Sequence, residues 1–103
     1  MPKFVLMFHS GVNPEDPSQE TMDRWMAWFS ELGDAVVDMG SPFVTSTTIA
    51  SDGTPSEGSG SDPATGYTVV EAANLKDAVA MAKGCPGLGG GGSIALYEAV
   101  SMG

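Results

Sequence analysis

His9 is the only histidine among 103 residues and the only side chain here whose unperturbed pKa lies near neutrality. Any general-base mechanism therefore starts from it. The imidazole needs a partner to orient it, and three residues fall at element ends that should lie nearby: Asp16, Tyr67 and Ser93. A carboxylate within reach would raise the pKa of the ring, and Tyr67 would donate a proton to a carbonyl substrate. His9, Tyr67 and Asp16 are thus the candidates for catalysis. The competing role for His9 is structural, closing a strand and bonding a backbone carbonyl; a third is contact with a ligand and no chemistry.

Other reactive side chains are weaker candidates. Asp38 is expected at the end of a long first helix, at the opposite edge of the sheet from His9, which leaves a dyad only across a dimer. Cys85 follows a helix C-terminus, where the dipole disfavours a thiolate, and is expected as a small buried residue. One His and one Cys far apart in sequence do not make a transition-metal site, so no metal is expected. Glu15, Asp16, Glu20 and Asp23 form an acidic helix start, for which the helix dipole is sufficient reason. No G-x-S-x-G elbow is present for a serine hydrolase. Gly87, Gly89 and Gly92 have the G-x-G-x-x-G spacing of a dinucleotide loop, but that loop requires the order strand, glycines, helix. Here the apolar positions of "LKDAVAMAK" recur at helical spacing before the glycines, and the strand-like "SIALYEAV" follows them. An anion would meet the carbonyl end of a helix, so no nucleotide cofactor is implied. Gly84 is expected as the left-handed residue ending that helix, with Pro86 preventing its resumption.

An aromatic and thioether cluster, Met22, Trp25, Met26, Trp28 and Phe29, marks the first helix. Its ordinary role is core packing; its alternative is the wall of an apolar pocket. Trp25, Trp28 and Phe29 are the ligand-binding candidates, with Glu71 and Glu98, each set in an otherwise apolar strand, as polar groups if they face inward.

The elements that must position these groups follow from periodicity. "KFVLMFH" is a strand with Phe4, Leu6 and Phe8 on one face and Val5, Met7 and His9 on the other. Asp16 as cap and Pro17 at the first position start a helix. Met22, Trp25, Met26, Phe29, Leu32, Val36 and Met39 mark one face as far as Gly40, with a bend or break at Gly33. Trp28 lies beside that face, free to pack on a partner. "PFVTSTTIA", residues 42–50, reads as the second strand and "SDGT" as a hairpin turn. Residues 55–66 read as the most mobile loop. "YTVVEAA", "NLKDAVAMAK" capped by Asn74, and "SIALYEAV" give a third strand, a second helix and a fourth strand.

The order βαββαβ predicts an α+β, ferredoxin-like domain with a four-stranded antiparallel sheet and both helices on one face. Val5, Met7, Val69 or Val70, and alternate residues of the last strand would leave the other face apolar. A homodimer with facing sheets is the expected solution. The length fits one domain over 1–103. Four basic against thirteen acidic residues give a net charge of −9, which repels nucleic acid and anionic lipid alike. No long apolar run or leader is evident, so a cytoplasmic protein without membrane contact is expected.

The segments "FVLMFHSG", "AWFSELGDAVVDMGSP", "GYTVVEAANLKDAVAMAKGCP" and "GGSIALYEAV" together resemble the YCII-related (DGPF-type) family of the dimeric α+β barrel superfamily, nearly end to end. The resemblance implies the dimeric barrel and a cavity between sheet and helices for small molecules. It also implies a histidine on the first helix working with an aspartate, but the matching position lies near Trp25, so that base is missing and only His9 remains. The expected function is a homodimer that binds a small, mainly apolar or carbonyl-containing metabolite, with isomerase-, lyase- or cyclase-like acid/base chemistry through His9. Its rival is a non-catalytic binding or dimerisation module accessory to another enzyme. The first requires His9 beside a carboxylate or Tyr67 on a cavity of roughly 300 Å³ or more.

Overall fold

A computed structural model describes residues 1–9, 19–58, 60, 63–90 and 92–100. It is an α+β structure built on a four-stranded antiparallel sheet. The strands are β1 (Lys3–His9), β2 (Val36–Asp38), β5 (Ala64–Glu71) and β6 (Ser93–Ala99), in the spatial order β2-β5-β1-β6. A separate hairpin pairs β3 (Thr47–Ile49) with β4 (Pro55–Glu57), and the helices are α1 (Gln19–Leu32) and α2 (Leu75–Ala82). No helix among the described residues is long and apolar enough to cross a membrane.

Strand alternation sorts the sheet into two faces. Phe4, Leu6 and Phe8 stand opposite Val70, Thr68 and Gly66 on β5 and Glu98, Leu96 and Ile94 on β6. This face holds the core, in which Phe4, Leu6, Phe8 and Val70 pack with Trp28 of α1 and with Ala78 and Ala82 of α2. Both helices therefore cover the same face. The register puts Val5, Met7, Val69, Tyr97 and His9 on the other face, and it decides that Val70, not Val69, is the core residue. Among the described residues Thr68 is the one buried polar side chain, and its hydroxyl donates to the Met39 carbonyl at 3.0 Å, which satisfies it.

Several sequence expectations need correction. The first helix stops at Leu32 because Gly33 adopts φ +55°, the left-handed conformation that ends a helix. A 3-10 turn over Gly33–Ala35 follows, and the β-branched Val36 and Val37 continue as strand β2. The sheet's edge strand is therefore residues 36–38 and not 42–50. Of the latter stretch, Pro42 makes a bridge to Gly66, Phe43 donates to the Thr65 carbonyl, and residues 47–49 leave the sheet for the hairpin. The turn expected at Asp52–Gly53 does join that hairpin, but its second strand, β4, lies in what reads as loop.

On α1 the inward stripe is Trp25, Trp28, Phe29 and Leu32, at helical spacing, while Met22 and Met26 are exposed. Trp28 is thus the helix's core anchor rather than a residue beside the apolar face, and its indole donates to the Met81 carbonyl at 3.1 Å. Helix α2 has the expected Asn74 cap, whose side chain accepts from the Asp77 amide. Gly84 is not left-handed, and an added Cβ there would meet the Trp28 ring at 3.4 Å, in van der Waals contact. A 3-10 turn over Pro86–Gly90 then leads to β6, so the glycine motif follows a helix and precedes a strand.

Candidate functional site

A cleft of about 130 Å³ lies between α1, the middle of β5 and the segment 39–42, with Phe8, Trp25, Phe29 and Met39 as its apolar wall. Gly40, Ser41, Pro42, Gly66, Tyr67 and Thr68 complete the lining. The volume is below the range expected for a drug-sized ligand and close to that of an engineered protein cavity that takes up benzene.

The aromatic wall is held by ring packing. Trp25 meets Phe8 edge-on at 5.6 Å between centroids and Trp28 at 5.7 Å, and Trp28 packs on Phe29 at 5.1 Å. Buried Trp28 thus acts from behind, holding the rings that line the cleft. The opposite wall exists because two glycines let the chain run close beside β5. Gly40, at φ +76°, lies so close to β5 that an added Cβ would sit 1.7 Å from the Tyr67 carbonyl oxygen. A Cβ on Gly66 would meet the Ser41 carbonyl at 3.1 Å and the Phe8 ring at 3.6 Å.

Just behind this wall, on the open face of the sheet, the Tyr67 hydroxyl donates to Asp38 Oδ2 at 3.2 Å. Asp38 Oδ1 accepts the Gly40 amide at 2.8 Å, and the Phe43 ring stacks on Tyr67. The carboxylate hydrogen-bonded to the phenol, and then its charge, push the Tyr67 pKa up, so the phenol keeps its proton. Tyr67 is therefore a donor committed to Asp38.

His9 lies on the open face of the sheet, half-buried, opposite Ser93 and Ala64. Ser93 is its neighbour as expected. Tyr67 faces Met7 instead, and Asp38, opposite Val69 on the far side of β5, is displaced from His9 by roughly 17 Å along the strand direction alone. His9 does not line the cleft. Asp16 and the helix start at Asp16–Pro17 lie outside the described residues.

Of the ligand-binding candidates, Trp25 and Phe29 line the cleft and Trp28 supports it. Glu71 stands opposite Lys3 on the open face, and Glu98, on the helix-bearing face, is exposed at the edge strand; neither reaches the cleft. Cys85 is buried and its desolvated thiol is pushed up to about 11, so it is protonated at neutral pH. The described residues contain no cluster of His, Cys, Asp or Glu able to hold a metal.

Sequence reasoning missed the segment Met39–Pro42 as a wall of the site. The signal was present in "DMG": an aspartate two residues before a glycine favours a local side-chain-to-backbone turn, which Asp38 and Gly40 form. No family model matches the chain, and no curated protein matches it.

Proposed function

We propose that this chain forms a homodimer of the YCII-related, dimeric α+β barrel type that binds a small, mainly apolar or carbonyl-containing metabolite in the cleft beneath α1. The aromatic wall of Phe8, Trp25 and Phe29 facing the Met39–Pro42 segment carries the proposal. Such a surface is costly to leave wet and is suited to an apolar body. The size of the cleft limits the ligand to about that of a single six-membered ring.

The strand order β2-β5-β1-β6, with both helices on one face, supports a ferredoxin-like domain. Val5, Met7 and Val69 remain only half-covered and Tyr97 exposed on the other face, which supports a second protomer packing there. Binding is the favoured role: His9 lies across the sheet from the cleft, and the phenol of Tyr67 is engaged by Asp38.

Two measurements on the full chain test this. Titration with benzene-sized ring compounds should shift the indole resonance of Trp25, and indifference of that resonance to every such compound refutes the binding role. Sedimentation should give a dimer that Val69→Asp converts to a folded monomer. A wild-type monomer at micromolar concentration refutes the barrel assembly.

A further inference from the structure

The charge that the cleft's ligand carries follows from where the basic residues are. The chain has four: Lys3, Arg24, Lys76 and Lys83. None lines the cleft. Arg24 is paired with Glu20 at 2.7 Å on the exposed side of α1, Lys3 stands opposite Glu71 at the far end of β1, and Lys76 and Lys83 belong to α2 and its C-terminal cap. His9 is on the opposite face of the sheet from Phe8.

Several polar groups of the lining are already committed. The Gly40 amide donates to Asp38, the Tyr67 amide donates to the Ser41 carbonyl, and the Thr68 hydroxyl donates to the Met39 carbonyl. An anionic ligand would meet no basic side chain among the lining residues, in the field of a chain carrying −9. Desolvating a carboxylate or phosphate on such terms is unfavourable. The same lining suits a cation. Aromatic rings, tryptophan most of all, attract an organic ammonium, and the negative field of the whole chain concentrates cations around it.

We infer that the cleft selects by charge: among ligands of one shape it binds the small organic cation best, the neutral molecule less well and the anion least. The inference rests on the small-molecule function proposed above and specifies its ligand class as a methylated ammonium or similar apolar cation, excluding free carboxylates and phosphates.

The test uses three probes of nearly one shape: tetramethylammonium chloride, tert-butanol and sodium pivalate. Each is titrated at low ionic strength into the full chain, following the assigned indole N–H resonance of Trp25. Tetramethylammonium should bind at least about fivefold more tightly than tert-butanol, with pivalate weakest. Added sodium chloride should narrow the gap as it screens the field. Equal or tighter binding of tert-butanol relative to tetramethylammonium overturns the inference, as does pivalate matching tert-butanol. If none of the three moves the Trp25 resonance while its neighbours remain folded, the proposed binding function itself fails, and the charge preference with it.

Discussion

Replacing Gly40 by alanine tests the close approach that builds one wall of the cleft. Two costs add. A side chain at φ +76° carries the left-handed penalty of about 1–2 kcal/mol. The new Cβ, placed 1.7 Å from the Tyr67 carbonyl oxygen, must retreat beyond 3.0 Å, which parts the two backbones by more than about 1 Å. That movement breaks the Tyr67 amide to Ser41 carbonyl and Thr68 hydroxyl to Met39 carbonyl bonds, each worth about 1 kcal/mol net. The expected loss is about 3–4 kcal/mol, a large share of the 5–15 kcal/mol that holds an ordinary domain. Gly33→Ala is the control, since Gly33 is also left-handed, at φ +55°, but an added Cβ meets nothing within 4 Å. It bears only the conformational cost. Urea unfolding of both variants at one fixed protein concentration gives the comparison, because a dimer's stability depends on concentration. Gly40→Ala should be the less stable by about 2 kcal/mol. A difference below about 1 kcal/mol would show that residue 40 does not lie against β5, and the wall of the cleft would have to be redrawn.

The Tyr67–Asp38 bond predicts a phenol titration. In a Tyr97→Phe background the Tyr67 hydroxyl should ionise above the ordinary value of about 10, and Asp38→Asn should lower its midpoint; an unchanged midpoint on removing the carboxylate refutes the pairing. Because the folded pKa is raised, the bond's contribution to stability is complete below the unfolded phenol pKa and is lost as pH rises through the folded value. Cys85 should resist a disulfide reagent at pH 8 in the native protein and react fully in denaturant, since its buried thiol ionises only at about 11; rapid native labelling would refute its burial. Its contribution to stability should likewise be complete below about pH 8.5, where the unfolded thiol ionises, and be lost as pH rises through 11.

Local patterning was enough to place β1, β5, α2 and β6, because each is a short apolar run or a capped amphipathic segment whose preference agrees with its surroundings. The alternation of "KFVLMFH" separated core residues from open-face residues correctly, whereas the spacing on α1 placed Trp25 and Phe29 on the inward face but also the exposed Met22 and Met26, and left the buried Trp28 beside it. The excess of acidic residues and the scarcity of basic ones are likewise properties of the sequence alone.

Only the tertiary structure decided the fate of residues 33–43. A single glycine in a helical pattern costs about 1 kcal/mol and is often tolerated, so Gly33 alone does not say whether the helix bends or ends. Pairing of Val36 and Asp38 with β5 settles it, a contact between residues over 30 positions apart that no local window contains. The same pairing brings Asp38 to Tyr67, and Gly40 allows the backbone to pass close enough to β5 to leave a cleft on the other side. Register made the choice between Val69 and Val70, since a strand shifted by one residue exchanges its two faces. Residue types and spacing thus determined which side chains were available for chemistry, whereas long-range strand pairing determined that Tyr67 and Asp38 meet.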